Sequence, residues 1–239
     1  MSIAGWPQAP EERGGPGPSR WAERVSDVEL GWLDPAAPPD LDQVHGVLAA
    51  VLELGGAVGW VTVPDRAESD RWLAERVAEV AAGRSRVALA SAGGLLAGVG
   101  RWSWYASPAV AVNADIRQVM VHPQARGQGL ARALVAALVD DAREHGVETL
   151  TLDVRGNNHA AMALYETFGF QVAGRFPDFV AVGVERWDRV LYRLDLRSAD
   201  APVRRHGARP VGPGASPLRA PVRHPEFPGH PLAGPAGRA

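Results

Sequence analysis

Two glycines carry the most specific chemistry in this chain. Gln124-Ala125-Arg126-Gly127-Gln128-Gly129-Leu130-Ala131 follows a strand, Ile116 to Val121, and leads into a stretch with helical periodicity. Glycine has no Cβ, so the backbone at 127 and 129 can approach a bulky anion, and the unsatisfied N–H groups of a first helical turn point at it. The helix dipole adds a favourable field, and a diphosphate suits such a strand–loop–helix. Two rival phosphate sites fit worse. A phosphate loop of the NTPase kind needs Gly-Lys-Ser/Thr at the helix start, whereas Gly129-Leu130-Ala131 stands here and the chain contains no lysine. A dinucleotide fingerprint needs a third small residue three places after the second glycine, and that place is Arg132. The plain alternative is a loop whose glycines only end a strand and start a helix.

A second constellation follows, Asn158-x-x-Ala161-x-x-x-Tyr165, whose spacing sets three side chains along one helix face. In this order and spacing the two motifs resemble the GNAT superfamily of N-acetyltransferases. Gln124, Gly127 and Gly129 match its Gln/Arg-x-x-Gly-x-Gly/Ala signature, and Asn158, Ala161 and Tyr165 match its later Asn-x-x-Ala-x-x-x-Tyr. Glu166-Thr167-Phe168-Gly169-Phe170 is similar to the family's exit from its last core helix, and the resemblance covers about residues 25 to 196. Within the family, Asp115 to Pro123 and Leu152-Asp153 look most like the tabtoxin resistance protein-like acetyltransferases, with aspartate at 115 where glutamate is usual.

The resemblance implies an α/β fold: a central mixed, mostly antiparallel sheet with helices on both faces and a splayed parallel strand pair at the cofactor site. It implies acetyl-coenzyme A as co-substrate. Main-chain groups of Val119, Met120 and Val121 would pair with the pantetheine arm, and the N–H groups from Arg126 through Gly127, Gln128, Gly129 and Leu130 to Ala131 would take the pyrophosphate. Arg126 and Arg132 would add charge. Asn158 would cap its helix and bond the arm. Tyr165 would protonate the leaving thiolate, against the plainer reading of a core tyrosine. Asp115 and Asp153, near the ends of neighbouring strands, would handle the acceptor amine; Asp115 could instead simply pair with Arg117 on the same strand face. Glu166 is read as solvated.

These groups need elements to hold them. Val28 to Leu33 reads as a first strand. Pro39-Asp40 starts a helix whose apolar residues (Leu41, Val44, Val47, Leu48, Val51, Leu54) recur at helical spacing until Gly55-Gly56. Glu68 to Ala82 is a second amphipathic helix. Arg86 to Ala92 and Leu95 to Tyr105 flank Gly93-Gly94 as a hairpin. A helix from Gly129 to about His145 presents Leu130, Leu134, Val135, Leu138, Val139 and Ala142 on one face. Leu150 to Val154 is a strand, Asn158 to Phe168 a helix, Phe170 to Gly174 the start of another strand, and Val190 to Leu196 the last. Layering helices on both sides of one sheet is the natural packing solution. The acceptor pocket is expected from Gly59-Trp60-Val61-Thr62-Val63, from Trp102-Ser103-Trp104-Tyr105, and from Phe176 to Gly183 as a substrate-side loop.

Composition bounds the rest. With 239 residues and 46% apolar content, the chain can bury one sizeable core. The absence of cysteine excludes a disulfide framework, thiolate metal ligands and an acyl-cysteine intermediate on this chain. The seven histidines show no His-Glu-x-x-His spacing, and no metal site is expected. No stretch approaches the ~18 uninterrupted apolar residues of a membrane span, so no membrane partner and a cytoplasmic location are expected. Residues 1–24 and the Pro/Gly/Arg-rich segment 197–239 read as disordered. That last segment carries seven arginines against Asp200 and Glu226, giving it +5 in a chain of net charge −2. The surplus alone does not make a nucleic-acid partner, because aromatic residues are nearly absent there. The resemblance therefore implies an acetyl-coenzyme A-dependent N-acetyltransferase, and a small-molecule amine is the expected acceptor. A peptide or protein amine, or a non-catalytic acyl-coenzyme A sensor, is the alternative. Oligomeric state, a homodimer included, stays open.

Overall fold

Gly93 and Gly94 both take left-handed φ angles, 55° and 77°, the geometry that a tight hairpin with right-handed strand twist requires. Around that turn β2 (Ser85–Ala92) pairs antiparallel with β3 (Leu95–Trp104). The computed structural model describes residues 28–56 and 58–197, so the expected N-terminal segment 1–24 and the tail from 198 onward lie outside the described residues. The other strands are β1 (Val28–Trp32), β4 (Asn113–Val121), β5 (Thr149–Arg155), β6 (Gln171–Val182) and β7 (Glu185–Asp195). The seven form one sheet in the order β1-β2-β3-β4-β5-β7-β6, antiparallel throughout except for the β4–β5 pair.

Helices cover both faces of this sheet. On one side α1 (Leu41–Glu53) and α2 (Arg66–Ala81) bury Val44, Val47, Leu48, Val51, Trp72 and Leu73 against Val87, Val99 and Met120. Aspartates cap both helices: Asp40 accepts from the N–H groups of Asp42 and Gln43, and Asp65 from that of Glu68. On the other side α3 (Leu130–Glu144) and α4 (His159–Glu166) pack with Trp102, Ile116, Leu150, Leu152 and Tyr192. Two strand glycines seat α3 closely. A Cβ at Gly98 would lie 3.1 Å from Leu134 Cδ1, and one at Gly100 would lie 3.0 Å from Leu138 Cδ1. The start of α3 is thereby fixed beyond the end of β4.

Side-chain alternation then sorts the site. Ala114, Ile116, Leu150, Leu152 and Val154 belong to the α3 core, so Asp115, Thr151 and Asp153 face the α1–α2 side. The expected loop at Phe176 to Gly183 is a correction: these residues belong to β6, which runs on to Val182 and turns at Gly183 into β7. Its pairing with β7 shifts between Phe176 and Val180, around Asp178 at φ 53°. Among the described residues no helix is long and apolar enough to cross a membrane.

Candidate active site

The β4–β5 seam is the central feature. These strands pair only at Asn113–Thr149, Ala114–Leu150 and Asp115–Thr151. Beyond Asp115 they separate, and the β5-facing edge of Val119, Met120 and Val121 has no strand partner, while Met120 and Val121 stay paired to β3. The separation begins where β4 bulges. Between Val99 and Arg101 on β3 the register shifts against Arg117 to Met120, and Gln118 sits there with φ 55°.

At the open end of the seam lies the glycine loop. Gly127 and Gly129 have φ 80° and 78°, and a Cβ built on either would meet nothing within 4 Å. The loop thus leaves a cradle that side chains would fill. Gly129 is the N-cap of α3 with no side-chain cap, so the first-turn N–H groups are free to bond an anion. One expected donor drops out. The Arg126 N–H bonds Pro123 O at 3.2 Å in a short 3-10 turn, leaving Gly127, Gln128, Gly129, Leu130 and Ala131 as the donor run. The side-chain Oε1 of Gln128 is buried without a partner. Gln124 lines a cavity of about 380 Å³ together with Asp42, Gln43, Leu96 and His122. Arg132 turns away from the anion role: its guanidinium bonds Thr167 Oγ1 at 3.0 Å and lies 5.1 Å over the Phe168 ring.

Tyr165 approaches the seam from the α3 side. It is 8% exposed, packs edge-to-face on Phe170 at 5.7 Å, and its hydroxyl has no hydrogen-bond partner among the described residues. Burial first, and the Asp153 carboxylate second, push its proton affinity well above the ordinary tyrosine range. Asn158 caps α4 by accepting from the Ala161 N–H at 3.2 Å. Its Oδ1 is thereby used, and its amide NH₂ is left to reach a ligand. Ala161 is half-buried between these two residues.

The two aspartates lie on the opposite face. Asp115 accepts from Arg117 Nε and from Thr151 Oγ1, each at 2.6 Å, and Thr151 Oγ1 is also 2.6 Å from the Tyr105 hydroxyl. Asp153 accepts from Arg189 at 2.7 Å, and Arg189 stacks on Phe179, 5.7 Å from the ring centre. Both carboxylates already hold a guanidinium. The expected pairing of Asp115 with Arg117 is present. Two hydrogen bonds tie the segment after α1 to these strands: Gln118 of β4 donates to Val58 O at 3.2 Å, and Arg155 of β5 donates to Gly55 O at 2.7 Å. Trp102 is core, 1% exposed, with its indole N–H on Asp141. Tyr105 instead reaches the Asp115–Thr151 pair through its hydroxyl.

Glu166 is exposed, as the sequence suggests, and one neighbour still reaches it. It accepts from the Tyr192 hydroxyl at 2.9 Å. Burial and this bond push the Tyr192 hydroxyl up to about 12, from an ordinary 10.0. A raised value favours the neutral phenol in the fold, so its contribution is fully present below about pH 10 and is lost as pH climbs through about 12. Thermal melts across that window should show wild type losing stability more steeply than Tyr192→Phe.

Residues 59–170 match the profile of the acetyltransferase (GNAT) family. Those residues carry a GNAT-family acetyltransferase domain. A stretch of 83 residues is 41% identical to the [ribosomal protein bS18]-alanine N-acetyltransferase of Escherichia coli K12, covering 35% of this chain and 56% of that protein. Another of 85 residues is 35% identical to the L-methionine sulfoximine/L-methionine sulfone acetyltransferase of Salmonella typhimurium, covering 35% of this chain and 49% of that protein. The matches thus span about half the length of these relatives. The Salmonella typhimurium acetyltransferase YncA, solved with its cofactor acetyl-CoA, superposes with a TM-score of 0.62 at 24% identity over 73% of this chain and 97% of its own. At that identity the likeness shows the fold. The domain assignment rests on these matches and not on the tabtoxin-like similarity, which they do not single out. Among the described residues no group of His, Cys, Asp or Glu could hold a metal ion.

Proposed function

We propose that this GNAT domain transfers acetyl from acetyl-coenzyme A to the primary amine of a small molecule by direct attack in a ternary complex. One observation carries the reading: the open β4–β5 seam has a glycine cradle at its end, a buried phenol on one face and paired carboxylates on the other. The donor run Gly127 to Ala131 would hold the diphosphate, with the α3 dipole adding to the attraction. The free edge at Val119, Met120 and Val121 would receive the pantetheine amides as an added strand does, and Asn158 would offer its amide NH₂ to the arm. Acetyl-coenzyme A supplies the thioester carbonyl.

The acceptor arrives as an ammonium on the face of Asp115 and Asp153. One of these carboxylates takes its proton directly or through water. The amine nitrogen then bonds the carbonyl carbon, the carbon–sulfur bond breaks, Tyr165 gives its proton to the departing sulfur, and the surplus proton on the new amide nitrogen leaves to return Tyr165 to its neutral form, directly or through water. Asp115→Asn keeps an oxygen that can accept from Thr151 and should leave the fold intact. Its turnover is expected to fall most at low pH, where unprotonated amine is scarce, and to recover partly as pH rises; a pH–rate profile against wild type checks this.

Two relatives frame the acceptor, one acting on an amino-acid analogue and one on a ribosomal protein. The hydrogen bonds that hold Gly55 and Val58 to both strands, and so narrow the acceptor side, support a small amine. The 41% identity to the protein-directed relative favours a peptide α-amine as the second reading. A thiol-release assay over free amino acids, other small amines and short peptides tests the choice. The proposal expects the highest kcat/KM among the small amines. Peptides outperforming all of them would replace it with the second reading.

A further inference from the structure

Gln118 is one of two described non-glycine residues with a positive φ, 55° in the interior of a strand. Such a residue persists only where its surroundings hold it there. Its side chain shows what does. Gln118 Oε1 accepts from Arg101 Nε at 2.8 Å, and Gln118 Nε2 donates to Val58 O at 3.2 Å. The orientation of this amide is dictated by its neighbours: a guanidinium only donates and a carbonyl only accepts, so oxygen faces Arg101 and nitrogen faces the loop. Arg101 is itself buried, at 5% exposure, and its Nη1 lies 3.4 Å from Glu79 Oε2. Burial, with Arg76 beside it, lowers its pKa to about 10, against the opposing pull of Glu79. A guanidinium so placed requires its acceptors, and Gln118 is one of them.

The loop contact has a counterpart across the seam. Arg155 of β5 donates to Gly55 O at 2.7 Å, so the segment between α1 and α2 is held from both separated strands. Trp60 supports it from the far side, donating to Glu68 Oε1 at 2.7 Å and lying edge-on to Trp72.

We propose that Gln118 is a positioning residue: from the bulge of β4 its side chain fixes the acceptor wall, residues 55, 56 and 58–63, to the cofactor strand. The inference rests on the acetyl-transfer reading for its kinetic consequence and on geometry alone for the tie. It follows that the acceptor loop and the cofactor strand are joined by one residue, and that loosening the tie degrades acceptor binding without touching the diphosphate end of the site.

Gln118→Glu separates the two bonds. The carboxylate keeps an acceptor for Arg101, but it loses the donor to Val58 O and sets oxygen against oxygen there. Amide hydrogen exchange in residues 55–63 should accelerate relative to wild type while the strands keep their protection. The acceptor KM should rise about tenfold, the size of one lost hydrogen bond, with the KM for acetyl-coenzyme A nearly unchanged. Arg155→Met releases the opposite tie, and combined with Gln118→Glu it should show non-additive effects on loop exchange, since both act on one segment. Unchanged loop exchange in Gln118→Glu would overturn the proposal. So would a KM for acetyl-coenzyme A that rises in step with that for the acceptor. Exchange needs no acceptor, so it decides the tie even if the protein acetylates no amine.

Discussion

Tyr165→Phe should lower turnover by ~10²-fold or more, as lost acid catalysis typically does, while leaving cofactor affinity nearly intact. The substitution removes one oxygen and keeps the ring that packs on Phe170. Since the hydroxyl bonds nothing among the described residues, its loss orphans no partner. Burial and the Asp153 charge keep the phenol protonated at neutral pH, the state a proton donor must be in. The same desolvation raises the proton affinity of a thiolate formed beside it, so donor and acceptor shift together. Steady-state kinetics across pH, paired with calorimetry of coenzyme A binding, checks the split. Equal activity of variant and wild type across the range would make Tyr165 a packing residue and leave the proton to water or another group.

Gly129→Val should nearly abolish acetyl-coenzyme A binding in a protein that still folds. The φ of 78° disfavours any Cβ, at roughly 1–2 kcal/mol, and valine's branching adds crowding in the first turn of α3. The larger loss comes from the cradle. Apart from its chain neighbours, the new Cβ meets nothing within 4 Å among the described residues, so the side chain enters the space that the diphosphate would take. Charge-assisted bonds to main-chain donors contribute about 1.5–3 kcal/mol each, and losing two of them weakens binding by about 10²-fold or more. Gly146→Ala is the control. It has a nearly identical φ of 77° and equal open space, but sits past the other end of α3. It should lose stability without losing cofactor affinity. Unchanged affinity in a folded Gly129→Val protein would remove this loop from the site.

What could be read from the sequence was local. Asp40 before an apolar 3.6-residue period fixed the start of α1, Gly93-Gly94 between alternating runs fixed the first hairpin, and the apolar face of α3 matches its buried residues from Leu130 to Ala142. The glycine loop was legible because only glycine tolerates its backbone. The missed features depend on residues distant in sequence. β6 continues past Pro177, normally a strand breaker, because Asp188 accepts from the Asp178 N–H and pairs with Arg175, pinning a bulge from the neighbouring strand. The Tyr105–Thr151–Asp115 chain joins β4, β5 and the residue that follows β3, and no spacing announces it. Asp141 sits in α3 among surface charges, yet it is buried, bonding Trp102 and Arg86. Gln118 adopts a glycine-like φ without glycine, and the guanidinium that holds it lies on another strand.

The most direct test is a single reaction, followed for thiol release and by intact-protein mass, of purified protein with acetyl-coenzyme A in the presence and absence of a responsive amine. Direct attack in a ternary complex predicts free thiol and acetylated amine in equal amounts when the amine is present. Without it, thiol should stay at background and the protein should gain no acetyl mass. Acetyl-protein accumulating before amine is added would contradict direct attack. Binding of acetyl-coenzyme A with no thiol release for any amine would contradict catalysis and leave a binding protein.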